Sequence, residues 1–209
     1  MPRFFVEKIA HPAVLSAEES RHAVRALRLQ AGDRVTVFDA RESWSGEIES
    51  TEGRVRIRLL EKLPGAALPA VTVAAAVPKG ARLDWMIEKL AELGVAEFQP
   101  VRFERSVAEL GDAKRRRLEK VALAAAKQSG APVLRIAAER PVDEIGADAL
   151  LASPGAADPP PRGAGLVLIG PEGGLAPREE ARFLRRFSLG PTILRIETAA
   201  VVAAARLLA

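Results

Sequence analysis

Residues 165–184, "GLVLIGPEGGLAPREEARFL", join an apolar run to a charged segment through a glycine-rich turn. The run from Gly165 to Ile169 has the length of a buried strand, and Gly170-Pro171-Glu172-Gly173-Gly174 stops it. The segment that follows, "APREEARFLRRF" (176–187), predicts a helix. Strand, glycine turn and helix in this order let a ligand approach backbone amides. Yet the turn carries a carboxylate, Glu172, where a phosphate would sit. A phosphate loop ends in Gly-Lys-Ser/Thr and a dinucleotide loop reads G-x-G-x-x-G; this stretch has neither. Like charges ~4 Å apart at an effective dielectric of about 20 repel by about 4 kcal/mol, so Glu172 disfavours an anion and admits a neutral or cationic ligand. The alternative is that Glu172 caps the following helix and the glycines make a tight turn.

A second stretch, "LGPTILRIETAAVVAAA" (189–205), has a related build. Leu189-Gly190 predicts a turn, Thr192 to Ile196 a buried strand, and Thr198 the N-cap of an alanine-rich helix. Arg195 and Glu197 then stand at the carboxyl end of a strand, where parallel α/β sheets bind ligands. A salt bridge between the two is the other reading.

Further upstream, strands alternate with helices. "VTVAAAV" (71–77), "VAEFQPV" (95–101) and "PVLRIA" (132–137) predict strands. "ARLDWMIEKLAELG" (81–94) places Leu83, Met86, Ile87, Leu90 and Leu93 on one helical stripe with Gly94 as C-cap, and "AKRRRLEKVALAAAKQSG" (113–130) is a second glycine-stopped helix. This alternation predicts a parallel α/β sheet over residues 70–209. "LASPGAADPPPRGAG" (151–165) predicts a surface loop.

Residues 1–66 form a different, β-rich unit, joined through "LPGAALPA" (63–70). "RVTVFDA", "SWSGEIES" and "RVRIRLLEK" alternate in the manner of antiparallel strands, and the last sets Arg54, Arg56 and Arg58 opposite Val55, Ile57 and Leu59. "SAEESRHAVRALRL" (16–29) opens with Ser16 and Glu19 at capping-box spacing, and predicts a helix that puts Val24, Leu27 and Arg28 on one side and ends at Gly32-Asp33.

The 209 residues contain no cysteine, which excludes disulfides and thiol chemistry, and two separated histidines, which argue against a metal site. No apolar run reaches the ~18 residues of a membrane span, and "MPRFFVEKIA" lacks a signal-peptide core, so a cytoplasmic setting is expected. The net charge of +4 is mildly basic, consistent with a polyanionic partner.

"LIGPEGG" (168–174) with "LGPTILRIETA" (189–199), and "KGARLDWMIEKLAELGV" (79–95) upstream, resemble the ribosomal RNA small subunit methyltransferase E (RsmE) family of SPOUT methyltransferases. "RHAVRALRLQAGDRVTVFDA" (21–40), "RSV" (105–107) and "AAAKQSG" (124–130) extend the resemblance over nearly the whole chain. Ala124 and Ala131 depart from the family's usual glutamate and arginine. The resemblance implies a trefoil-knotted α/β SPOUT methyltransferase domain preceded by a small PUA-like β-barrel, and a homodimer. It implies S-adenosyl-L-methionine as cofactor and uridine N3 in 16S rRNA of the small ribosomal subunit as target, with no metal and no membrane. The cofactor residues it implies are Leu168, Ile169, Gly170, Glu172, Gly173, Gly174, Leu189, Gly190, Ile193, Leu194 and Thr198. Arg195, Glu197 and Glu172 are the catalytic candidates, and Arg3, Arg21, His22, Arg25 and Arg28 the RNA-binding ones. A sulfonium donor without phosphate suits the carboxylate in the turn. The competing functions are methylation of a different RNA site and RNA binding without catalysis; a nucleotide hydrolase is opposed by the missing phosphate-loop lysine.

Overall fold

The computed structural model describes residues 1–65, 68–159, 162–163 and 165–209. Ala66 and Ala67 of the expected connection, and Pro160, Pro161 and Ala164 of the expected 151–165 loop, lie outside the described residues. The chain divides into two compact units, Met1–Ala67 and Leu68–Ala209.

In the first unit β1 (Arg3–Phe5), β2 (Ala13–Val14), β3 (Arg34–Phe38), β4 (Ser43–Ser50) and β5 (Arg56–Leu63) pair in the order β1-β3-β4-β5-β2. The β3-β4-β5 meander is antiparallel, as the alternation predicts, and β1 lies parallel to β3. Val55, Ile57 and Leu59 are buried while Arg54, Arg56 and Arg58 are exposed, so period two separates core from solvent here. Helix α1 (Ala17–Arg21) is capped by Ser16, whose hydroxyl accepts from the Glu19 N–H at 3.1 Å. It stops earlier than Gly32-Asp33. The chain continues as a π-helical turn (His22–Ala26) with its C-cap at Leu27, and Arg28 leaves the helix at φ 55°. Buried Ser20 accepts from the Val55 N–H at 3.0 Å, which turns Ser20 and Ala23 inward. Val24 and Leu27 consequently face solvent, against the expected apolar side.

In the second unit β6 (Val71–Ala75), β7 (Glu97–Arg102), β8 (Arg135–Ile136), β10 (Leu150–Ala152), β11 (Gly165–Ile169) and β12 (Arg186–Phe187) form a parallel sheet in the order β12-β10-β11-β6-β7-β8. β9 (Arg140–Pro141) pairs with the end of β7. Helices α2 (Ala81–Leu93), α3 (Asp112–Ser129), α4 (Pro177–Glu180) and α5 (Ile196–Leu208) complete the unit, with α2 packed on both α3 and α5. The stripe Leu83, Met86, Ile87 and Leu90 is buried, and Gly94 ends α2 in the left-handed conformation at φ 81°.

Three expectations fail in this unit. Leu151 and Ala152 belong to β10 rather than to a loop. The segment 176–187 is helical over four residues only, because the edge of β10 captures its far end. The Leu151 N–H donates to Arg185 O at 2.9 Å and the Ser153 N–H to Phe187 O at 3.0 Å, and Phe183 and Phe187 are buried. Pairing an otherwise orphaned strand edge outweighs local helix propensity. Thr192 to Ile196 is not a strand, and Thr198 is not an N-cap: Arg195 is the N-cap and Thr198 sits inside the first turn of α5. Ile196, Ala199, Ala200, Ala203, Ala204 and Leu207 are buried on one stripe, so the helical period already begins at Ile196.

β6 and β11 are adjacent although some 90 residues separate them: β6, β7 and β8 run outward on one side, and the chain then crosses over to place β10, β11 and β12 on the other. Open α/β sheets hold ligands in crevices outside the carboxyl ends of their strands.

Candidate active site

The carboxyl ends of β10 and β11 open into a cavity of about 990 Å³, within the size range of small-molecule sites. One wall is the turn Gly170 to Leu175 after β11, and a second is Leu151 to Pro154 from β10 and the turn after it. Leu189, Gly190 and Thr192 to Ile196 form a third, and Arg82 from the first turn of α2 joins them. The two glycine stretches singled out in the sequence therefore face one space. Gly174 (φ 69°) and Gly190 (φ 139°) adopt left-handed backbone, and nothing lies within 4 Å of where a Cβ on either would point. These turns keep open room beside bare backbone, which suits the close approach of a flat ligand.

Of the residues expected at a cofactor site, Ile169, Gly170, Glu172, Gly173, Gly174, Leu189, Gly190, Ile193 and Leu194 line the cavity, as does Arg195. Leu168, Thr198 and Glu197 do not. Leu168 is fully buried in the sheet core. Glu197, in the first turn of α5, is only 6% exposed, and its Oε2 has no hydrogen-bond partner among the described residues. Its counter-charge is Arg82, 3.9 Å from Oε1, and not Arg195, which is exposed. A helix N-terminus also favours this buried carboxylate.

Glu172 does not cap α4. It precedes the N-cap, Ala176, and instead meets Arg82 Nη1 at 2.8 Å. The capping carboxylate is Glu179, 3% exposed, which accepts from the Ala176 N–H at 2.9 Å and the Glu104 N–H at 2.7 Å. Arg105, from the segment after β7, donates to Gly173 O at 2.9 Å. The glycine turn is thus tied on one side to α2 and on the other to the β7–α3 connection.

The sequence reasoning missed Arg82, Glu179, and Leu151 to Pro154. Arg82 stood inside a quoted stretch, yet nothing local marks its partners, which lie 90 and 115 positions downstream. The apolar pair Leu150-Leu151 before Ser-Pro-Gly was the available sign of a strand end. The charged lining residues are two arginines, Arg82 and Arg195, and two glutamates, Glu172 and Glu180, a balance that offers no strong anion hole. Among the described residues no group of three His, Cys, Asp or Glu side chains suits a metal, and no helix is long and apolar enough to cross a membrane.

The family described as "RNA methyltransferase domain" matches residues 66–208, and "RNA methyltransferase PUA domain" matches residues 15–60. A ribosomal RNA small subunit methyltransferase E from Mycobacterium bovis is 30% identical over 91% of this chain and 84% of its own length. This chain belongs to the RsmE family. The RsmE protein of Bacillus subtilis is 29% identical over 97% of this chain and 94% of its own. The crystal structure of RsmE from Neisseria gonorrhoeae bound to S-adenosyl methionine superposes with a TM-score of 0.84 at 28% identity, covering 98% of this chain and 95% of that one. The architecture is accordingly a PUA-like domain followed by a parallel α/β SPOUT methyltransferase domain, as the motifs imply.

In the PUA-like unit of this RsmE-family chain the RNA-binding candidates separate. Arg21, His22 and Arg25 are exposed on α1 and its π-helical turn, with Val24 and Leu27 exposed among them. Arg28 lies past the C-cap, so Arg21, Arg25 and Arg28 do not share a helix face as expected. Arg3, half-buried on β1, stacks its guanidinium 4.8 Å over the Phe38 ring.

Proposed function

We propose that this protein transfers a methyl group from S-adenosylmethionine to N3 of a uridine in 16S rRNA of the small ribosomal subunit. The observation that carries the reading is the meeting of the 170–175 and 189–196 turns around one cavity at the carboxyl ends of β10 and β11. Membership of the RsmE family and the likeness to a relative solved with S-adenosyl methionine support it.

The residues present fit that cofactor. Ile169, Leu189, Ile193 and Leu194 supply apolar wall, Gly170, Gly173, Gly174 and Gly190 supply accessible backbone, and the acidic turn tolerates a sulfonium. Bound there, the cofactor supplies an electrophilic methyl group. Uridine N3 becomes nucleophilic only when its proton leaves; of the two carboxylates that line the cavity, Glu180 is paired with Arg186, and Glu172, on the glycine turn, can accept the proton. Arg82 holds Glu172 Oε1, leaving Oε2 for the proton. Arg195, exposed at the cavity wall, stabilises the charge that spreads onto the uracil oxygens. Glu197, buried off the cavity, serves as a counter-charge rather than as the base.

Residues 1–66 act as the PUA-like RNA-binding domain and 70–209 as the methyltransferase domain. RNA engages Arg21, His22, Arg25 and Arg28 electrostatically, with Arg3 nearer the core. The active form is a homodimer: Ile193 lines the cavity wall yet is 85% exposed, an arrangement that a second chain would cover. Work on ribosomal subunits sets the protein in the cytoplasm.

The test is methyl transfer from labelled S-adenosylmethionine to small subunits isolated from cells lacking this protein, followed by mapping of the modified nucleotide. A 3-methyluridine in 16S rRNA is expected. Label at another RNA position would make it a different RNA methyltransferase, and calorimetry showing no cofactor binding would leave RNA binding alone.

A further inference from the structure

Arg82 joins three elements of the second unit that are far apart in the chain. It stands in the first turn of α2, its Nη1 lies 2.8 Å from Glu172 Oε1 on the glycine turn, and the same nitrogen lies 3.9 Å from Glu197 Oε1 on α5. The two carboxylates differ in their need for it. Glu172 has about half its side chain in water, whereas Glu197 has 8%, and the Oε2 of Glu197 has no hydrogen-bond partner among the described residues. A buried carboxylate without a counter-charge is costly; a half-exposed one is not. The short contact nevertheless goes to Glu172, the less needy partner. Electrostatic compensation of the core alone would put it on Glu197.

We propose that Arg82 is a positioning residue whose function is to hold the 170–175 turn in its ligand-binding shape through Glu172, its neutralisation of Glu197 being a separate, structural role. The inference rests on the cavity's being the S-adenosylmethionine site. Among the described residues, the other side chain that ties the turn to a distant segment is Arg105, which donates to Gly173 O from the β7–α3 connection. Without Arg82 the turn samples other shapes, and binding selects the competent fraction, which raises the apparent Kd in proportion.

The two roles separate in a set of variants measured for S-adenosylmethionine affinity by calorimetry and for unfolding midpoint. Arg82→Gln should lose both stability and affinity, because Glu197 is left buried and charged. Arg82→Gln combined with Glu197→Gln should regain most of the stability, yet keep a Kd raised roughly two- to fivefold, the span of a partly exposed ion pair. Glu172→Gln should raise Kd by a similar factor at near-native stability, and adding Arg82→Gln and Glu197→Gln to it should raise Kd little further, since one contact is lost only once. Arg82→Lys, which keeps a cation, should recover part of the affinity. A native Kd in the Arg82→Gln/Glu197→Gln protein overturns the inference while leaving the proposed function standing. Failure of the wild-type protein to bind S-adenosylmethionine overturns both.

Discussion

Glu179→Ala tests how the start of α4 is fastened to the segment after β7. The side chain is 3% exposed, and its two oxygens accept from the Ala176 N–H at 2.9 Å and the Glu104 N–H at 2.7 Å. Truncation leaves two backbone donors without partners, each costing about 1–3 kcal/mol. The Ala176 donor is buried and takes the upper part of that range; the Glu104 donor is closer to water and takes the lower part. A loss of about 3–4 kcal/mol follows, a large share of the ~5–15 kcal/mol by which domains are stable. The unit that unfolds must be followed by itself. The chain has two tryptophans, Trp44 in the first unit and Trp85 in the second, so a Trp44→Phe background makes Trp85 fluorescence a reporter of the second unit alone. With a urea slope near ~2 kcal/mol/M, the midpoint should fall by about 1.5–2 M. The comparison is Arg178→Ala, which removes an ion pair to Glu104 whose arginine is 79% exposed, and should cost under ~1 kcal/mol. If Glu179→Ala unfolds within about 0.5 kcal/mol of the parent, the claim that this carboxylate fastens the start of α4 to the segment after β7 is wrong.

Three further expectations concern other parts of the molecule. Partial burial raises the Asp39 carboxyl, but the N–H groups of Arg41, Glu42 and Ile9 outweigh it and hold it below its ordinary value. Its stabilisation is therefore full above the unfolded value, near ~3.9, and disappears as pH falls through the lower folded value. Asp39→Asn should make first-unit stability, followed through Trp44, less dependent on pH in that acid range; an unchanged slope contradicts this. Gly94→Ala places a Cβ at φ 81° and against Leu68, and should cost about 1–2 kcal/mol in thermal unfolding, with a neutral result refuting the strain. Replacing Arg21, Arg25 and Arg28 together by alanine should flatten the salt dependence of rRNA binding by roughly two to three units in slope, and an unaltered slope would remove them from the interface.

Much of the molecule was legible one segment at a time. The period-two alternation at 54–59, the helical stripe from Leu83 to Leu90 and the left-handed glycines after α2 and α3 are local properties, and the structure follows them. The two glycine stretches of the candidate site were legible for the same reason: unusual backbone requirements leave a mark in composition. What only the tertiary structure decided is where locally reasonable segments met a distant partner. Residues 176–187 have the composition of a helix, yet Arg186-Phe187 became a strand because the edge of β10 needed pairing, and Thr192 to Arg195 became a wall of the cavity instead of a strand. Arg82 acquired its role from carboxylates 90 and 115 residues away. Periodicity records which face of a segment is apolar, whereas hydrogen-bond and charge satisfaction is settled between segments, and no single stretch of sequence contains both halves of such a pair.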